Sequence, residues 1–325
     1  MILSRTPFRI TLGGGGTDLP SFYQEHGGHV ITMAIDKYIY LTLKHSHFEP
    51  QIKLRYSKIE AVDDVALLSH DRARVSLQLH NILSNCEINS SADLPANAGM
   101  GSSGSYLVGL LNLIREYKKI NNEPKVLAEE ACKIEIDLLK EPVGKQDQYI
   151  AAYGGVRILN IDKSGEVSVS NVDIAYGDMI SFLSNIKVFC LNTQRSASEV
   201  LADQQKDTKR SNNILHTVKE QSYKVLDILT SGNFDDYGVL MDEYWYLKKQ
   251  LSTKISTRSV DEIYELVKTK FDVLGGKIIG AGGGGFLLLY APRRHKELCS
   301  YMNQNGMKQL HFGIDYNGSC ILGNF

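Results

Sequence analysis

Short runs of alternating apolar and polar residues and longer runs at helical spacing succeed one another along the chain, with glycine-dense turns at several joins. In Pro7-Phe-Arg-Ile-Thr-Leu12, Phe8, Ile10 and Leu12 share one face and Arg9 and Thr11 the other, which predicts a half-buried strand with Arg9 pointing away from the core. Lys37 to Lys44 alternates in the same way, and Gln51 to Tyr56 reads as its partner strand. Helical spacing predicts a short helix near Leu19 to Glu25 and a second over Asp71 to Cys86, facing the sheet with Val75, Leu79, Ile82 and Leu83. A third helix starts at Ser102 with Tyr106, Leu107, Leu110, Leu111 and Ile114 as its apolar stripe. A fourth runs from Pro124 to about Leu139, with proline in its first turn. Strands follow at Gly155 to Ile161, Glu166 to Val172 and Ile186 to Leu191. From Ala197 to Leu251 the pattern is helical, broken at Ser231-Gly-Asn233, and the stripe Tyr244-Trp245-Tyr246 reads as core or domain interface. A helix over Ser259 to Lys270, a strand at Phe286 to Tyr290, a further helix, and an alternating edge or hairpin over Leu310 to Ile321 close the chain.

Composition narrows the class. At 325 residues the chain suits one large or two modest domains, and a change of character near residue 180 suggests domains over 1–180 and 181–325. Lys and Arg number 36 against 37 Asp and Glu, so there is no electrostatic case for a nucleic-acid partner or an anionic membrane. The five cysteines are scattered without metal-ligand spacing, which predicts reduced, mostly buried thiols. No apolar run reaches membrane-spanning length and no leader pattern opens the chain, so a cytoplasmic location is expected.

The candidate chemistry lies in the glycine-dense stretches. Pro95-Ala-Asn-Ala-Gly99-Met100-Gly101-Ser102-Ser103-Gly104-Ser105 runs into the third helix and reads as a phosphate cradle. Its glycines admit an anion to the backbone, the helix start aims free N–H groups at it, and the two hydroxyls add donors or a magnesium ligand. An ordinary serine-capped helix start is the plainer reading of such a stretch taken alone. Gly99 to Gly104 also spells the dinucleotide fingerprint, but the preceding Asn89-Ser-Ser-Ala-Asp-Leu-Pro95 is polar and proline-broken where a buried strand is required. The lysine-bearing P-loop motif is absent from the sequence. Gly13-Gly14-Gly15-Gly16-Thr17-Asp18 ends the first strand, either as a flexible tip or as a site where a polyhydroxyl ligand meets backbone. Gly144-Lys145-Gln146-Asp147-Gln148 delivers an acid between two amides, a solvated turn or a positioned general base. Lys277-Ile-Ile-Gly280-Ala-Gly282-Gly283-Gly-Gly285 is a third place for close backbone approach.

Taken in order, Pro7-x-Arg9 with Gly14 and Thr17-Asp18, Pro95-x-x-x-Gly99-x-Gly101-Ser102-Ser103, Gly144-x-x-Asp147-Gln148 and Lys277-x-x-Gly280-Ala-Gly282 resemble the GHMP small-molecule kinases over nearly the whole chain. Gly13 to Leu19, Gly144 to Tyr149, Tyr244 to Lys249 and Gly280 to Phe286 resemble the D-glycero-D-manno-heptose 7-phosphate kinase branch, whose members phosphorylate an anomeric hydroxyl. The resemblance implies two α+β domains with the active site in the cleft between them, and ATP with Mg2+ as cofactors. It implies ATP on Pro95, Gly99, Met100, Gly101, Ser102, Ser103 and Gly104. Asp147 would be the base, Arg9 the group that stabilises charge at the transferred phosphoryl, and Ser103 and Glu135 the magnesium ligands. Gly14, Gly15, Gly16, Thr17 and Asp18 would meet the sugar, and the loop with Gly282 and Gly283 would close over phosphates or substrate.

Galactokinases carry Glu-His where this chain has Gly15-Gly16, so galactose is disfavoured and room is left for a larger sugar phosphate. Its distal phosphate needs a cation, for which Arg195 and Lys145 are the candidates; Arg195 is equally readable as a surface or interface charge, and for Lys145 that plainer reading is preferred. The expected partners are therefore a sugar phosphate and ATP, with a homodimer as a further possibility. Another sugar 1-kinase, acting on fucose or an N-acetylhexosamine, and a non-catalytic sugar and ATP sensor remain the alternative readings.

Overall fold

The computed structural model describes residues 1–96, 98–191 and 208–325. Its spine is the antiparallel pair β1 (Ile2–Gly13) and β2 (Gly28–His45). The register slips where Pro7 lies opposite Tyr38 while Phe8 lies opposite Ile35, so Asp36 and Lys37 bulge out beside a proline that has no N–H to give the ladder. β2 serves two neighbours: its first part, Gly28 to Met33, pairs with β6 (Val156–Ile161), and its last part, Ile39 to His45, pairs with β5 (Cys86–Ala92). With β3 (Ile52–Arg55), β4 (Ile59–Val62), β7 (Val167–Asn171) and β12 (Cys320–Asn324) they make an eight-stranded sheet ordered β12-β1-β2-β5-β3-β4, β6 and β7 branching from β2.

Helix α3 (Ser102–Lys118) lies on this sheet with Gly104 to Ile114 buried throughout, as expected for a helix enclosed on both sides. Around it pack α2 (Asp71–Leu79), α4 (Pro124–Cys132) and α5 (Gln146–Tyr153), while α1 (Pro20–His26) lies against the helix Thr208–Ser231. α4 runs on into a π-helical turn, Lys133–Leu138, which turns the Glu135 carboxylate inward. Helix α6 (Tyr176–Asn185) leads into a second, four-stranded antiparallel sheet ordered β11-β8-β10-β9, made of β8 (Ile186–Cys190), β9 (Gly275–Ile278), β10 (Phe286–Tyr290) and β11 (Gln309–Leu310). The helices Thr208–Ser231, Phe234–Lys249, Arg258–Phe271 and His295–Gln304 complete this half. One apolar cluster runs from Ile10 and Met33 of the first sheet to Leu288 and Tyr290 of the second.

Four details differ from the pattern reading. Gln51 to Tyr56 does not pair with β2: it forms β3, antiparallel to β4 and parallel to β5. β5 itself was hidden, because its Asn89-Ser-Ser stretch is polar and only half-buried. α2 stops at Leu79 and buries Ala73, Ser76 and Leu77, while Leu79 and Leu83 are exposed; Asn81, with φ 53°, breaks the helix after it. Leu310 to Ile321 is no hairpin. β11 belongs to the second sheet, and the chain then crosses back so that β12 borders β1, stitching both halves together.

Candidate active site

A cavity of about 280 Å³ opens where the ends of β1, α3 and α5 meet the second sheet, and it is lined from both halves. At its centre the Arg9 guanidinium forks onto Asp147. Nε donates to Oδ1 at 2.7 Å and Nη2 to Oδ2 at 3.1 Å, while Nη1 donates to the Gly99 carbonyl at 2.6 Å. A planar guanidinium matches a carboxylate in this way, and holding both oxygens fixes the acid in one orientation. β1 places Arg9 with its side chain opposite to Phe8 and Ile10, toward the cleft rather than bulk solvent, and so it is buried although it is off the core. Asp147 stands in the first turn of α5, where the helix dipole favours a negative charge.

The loop before α3 is tied to β1 by the Arg9 N–H donating to the Met100 carbonyl at 3.1 Å and by Ser105 Oγ donating to the Pro7 carbonyl at 2.7 Å. Gly101 precedes the helix at φ +77°, and a Cβ there would stand 3.1 Å from Arg9 Cγ and 3.2 Å from Asp147 Cγ. No side chain caps α3, so the plain serine-cap reading fails and the helix start is left open. Gly99, Gly101, Ser102 and Ser103 line the cavity beside it. The other residues expected on ATP are placed differently. Met100 is buried, Gly104 packs against the backbone and Cβ of Asp147, and Pro95 is exposed at the start of the loop.

On the other side of Asp147, Gly15, Gly16 and Asp18 line the cavity. Asp18 Oδ1 accepts from the Gly16 N–H at 3.0 Å and Oδ2 from the Gln146 N–H at 3.1 Å, and burial pushes its carboxyl pKa upward. Thr17 does not face a ligand. It is buried, its Oγ1 donating toward the Gly14 and His29 carbonyls and accepting the His29 N–H, so it locks the turn to β2. Gly14 packs under the His29 carbonyl for the same reason. Lys145 also turns elsewhere, donating to the Gly165 carbonyl over the Tyr23 ring. Arg195 lies outside the described residues.

Glu135 sits behind the wall rather than on it. Its Oε1 accepts from Arg72 Nε at 2.7 Å and its Oε2 from Gln148 Nε2 at 2.5 Å, so here the carboxylate orients Arg72, which does line the cavity, and presents no open pair of oxygens to a metal. The Gly280 to Gly285 loop is likewise packed rather than poised. A Cβ on Gly280 would lie 2.3 Å from the Gly99 carbonyl oxygen, so the two glycine loops meet backbone to backbone. The Gly283 N–H donates to the Ile255 carbonyl at 2.8 Å and Gly282 packs on Ile255, leaving Gly280 and Ala281 at the cavity.

Two lysines with no site role assigned from sequence, Lys277 at the head of a glycine motif and Lys248 in the stretch after Tyr244, line the cavity from the second half. Lys248 donates to the Ile278 carbonyl at 3.0 Å and to that of Gly280, and Lys277 donates to the Thr11 carbonyl at 2.7 Å. Burial, then neighbouring cations, pull both below the usual lysine range, Lys248 to about 7. Tyr244, one helical turn before Lys248, lines the same cavity, whereas Trp245 is core against Tyr264. The helical spacing of Tyr244 and Lys248 was the available signal.

Residues 64–155 match the GHMP kinases N terminal domain and 225–308 the GHMP kinases C terminal domain, and the chain belongs to this family. GHMP kinases use ATP as the phosphate donor, so the chain belongs to a family of ATP-dependent phosphotransferases. The chain is 24% identical over 313 residues to a D-glycero-alpha-D-manno-heptose 7-phosphate kinase of Campylobacter jejuni, covering 91% of each. It is 23% identical to an L-fucokinase/L-fucose-1-P guanylyltransferase of Bacteroides fragilis, covering 90% of this chain and 34% of that longer protein. The crystal structure of a D-glycero-D-manno-heptose 1-phosphate kinase from Bacteroides thetaiotaomicron superposes over 100% of both chains with a TM-score of 0.82 at 20% identity. Among the described residues no helix is long and apolar enough to cross a membrane.

Proposed function

We propose that the protein is an ATP-dependent sugar kinase that phosphorylates the anomeric hydroxyl of D-glycero-D-manno-heptose 7-phosphate to the 1,7-bisphosphate. The observation that carries a kinase reading is the Arg9 fork on Asp147 at the mouth of the uncapped α3, which sets a base, a cation and an anion site side by side. The triphosphate lies at the start of α3 against the Gly99 and Gly101 backbone, and Ser102 and Ser103 supply hydroxyl donors. Mg2+, when bound, neutralises charge between the phosphates; Ser103 is the protein ligand that the cavity wall supports, and magnesium in kinases takes most of its other ligands from phosphate and water. Asp147 accepts the hydroxyl proton at an Oδ, while Arg9 holds that carboxylate and offsets negative charge gathering between the sugar oxygen and the γ-phosphoryl. An anomeric hydroxyl is more acidic than an ordinary alcohol, so a single carboxylate suffices as base. Asp18, held by the Gly16 and Gln146 N–H groups, presents its oxygens to sugar hydroxyls.

The bare Gly15-Gly16 edge supports a large sugar, and the Campylobacter relative's name supports a heptose phosphate. The test is ADP release with MgATP against heptose 7-phosphate, free heptose, fucose, galactose and N-acetylhexosamines. The heptose 7-phosphate is expected to exceed every unphosphorylated sugar in kcat/KM by at least about 30-fold, because a buried charged contact contributes on the order of 2 kcal/mol or more. Preference for fucose would move the assignment to another sugar 1-kinase, and ATP binding without turnover of any sugar would favour a sensor.

A further inference from the structure

Resting on the sugar-phosphate reading above, we propose that Lys248, with Lys277 beside it, forms the subsite for the substrate phosphate remote from the reacting hydroxyl. Both ammonium groups are buried at the cavity wall, and among the described residues their hydrogen-bond acceptors are backbone carbonyls, with no carboxylate partner. An ammonium has three donors: Lys277 spends one on Thr11, leaving two, and Lys248 spends two on Ile278 and Gly280, leaving one. A buried cation without a counter-charge is costly, and an anion entering the cavity removes that cost.

The position brings the two lysines to the glycine edge proposed for the sugar. Both ammoniums stand over the Tyr244 ring, Lys248 at 5.9 Å and Lys277 at 4.8 Å from its centroid. A Cβ on Gly15 would come within 3.8 Å of the Tyr244 hydroxyl and 3.3 Å of Thr11 Cγ2, so the Tyr244 ring and the Thr11 backbone that Lys277 holds border the glycine edge, while the Gly280 carbonyl that Lys248 holds adjoins the Gly99 loop. The side chains missing at Gly15 and Gly16 therefore leave space next to two cations, the combination that a phosphorylated tail requires. The two cations expected from sequence for this task, Lys145 and Arg195, are respectively engaged on Gly165 and outside the described residues.

The charge balance makes the subsite sensitive to pH. Lys248 is faced by Arg9 and Lys277, with Tyr244 on its own helix and Asp18 across Tyr244, and burial, then the Arg9 charge, brings its pKa to about 7. A phosphate dianion, whose second pKa is about 6, binds best while Lys248 is protonated. In the free enzyme kcat/KM for the sugar phosphate should thus fall as pH rises above about 7. Lys248→Arg, which stays charged, should carry that fall to higher pH.

The experiment compares wild type, Lys248→Gln, Lys248→Arg and Lys277→Gln. It measures kcat/KM for heptose 7-phosphate relative to free heptose, and calorimetric binding of heptose 7-phosphate without ATP. Lys248→Gln should cut the phosphate-dependent preference by at least about 30-fold, mostly through KM, with the KM for ATP held; Lys248→Arg should recover much of it. An unaltered preference ratio, or equal losses on both sugars, overturns the proposal. If Lys248→Gln does not fold, Lys277→Gln carries the same comparison. If wild type binds heptose 7-phosphate without phosphorylating it, the kinase reading fails; weaker binding by Lys248→Gln then still upholds the subsite, and equal binding overturns it. Wild type that neither binds nor phosphorylates heptose 7-phosphate overturns both.

Discussion

Asp147→Asn is expected to lower kcat by about 10²- to 10⁴-fold, the range for a positioned general base, with ATP affinity retained. The substitution is nearly isosteric, so the Arg9 fork keeps one acceptor in place of two and the fold around α5 survives. What is lost is an oxygen able to take the hydroxyl proton. Single-turnover phosphoryl transfer, measured beside nucleotide binding, separates these effects. A variant within tenfold of wild type would show that the hydroxyl needs no base here and that Asp147 serves only to orient Arg9.

Arg9→Met should be at least as damaging, with kcat down by about 10³-fold or more, because a cation that offsets charge in phosphoryl transfer has effects of that order. It also removes three donors at once, leaving Asp147 and the Gly99 carbonyl without partners. Breaking a fully buried pair costs about 3–5 kcal/mol; with the Asp147 side chain 24% exposed, about 2 kcal/mol of stability is the expected loss. Arg9→Lys keeps the charge but not the fork, and should recover stability better than rate. Denaturation midpoints and kcat measured on both variants test this. Equal recovery of the two would mean that Arg9 acts by charge alone.

The parts of the site that sequence made legible are those whose placement is carried by local spacing. Strand alternation puts Arg9 off the core, and Gly99 to Ser103 marks the start of α3, while Asp147 as base and Arg9 as its cation come from the resemblance, because Gly-x-x-Asp alone reads equally as a solvated turn; the structure brings Arg9, Asp147 and the Gly99 loop together. Less legible was what tertiary packing decides. Thr17 looked like a sugar ligand because a hydroxyl beside Asp18 carries no mark of direction, yet the turn points it at His29. The Gly280 to Gly285 loop has the composition of a ligand flap, but its glycines answer to the close approach of the Gly99 loop and Ile255. Lys248 and Lys277 lie inside stretches that carry the resemblance, yet neither is given a role there, since a lysine buried against carbonyls has no local signature. The fold shows the same division: α3 and β1 are self-evident by periodicity, whereas polar β5 and the return of β12 to β1 depend on partners far along the chain.

The central claim, that Asp147 and Arg9 direct ATP's γ-phosphoryl to an anomeric oxygen, is tested most directly by phosphorus NMR of the product formed from heptose 7-phosphate and MgATP. A new phosphate resonance coupled to the anomeric proton, with the C7 phosphate intact and one ADP released per product, is the predicted result. A new phosphate on any other carbon, or ADP released as free phosphate accumulates and the sugar is unchanged, would contradict it.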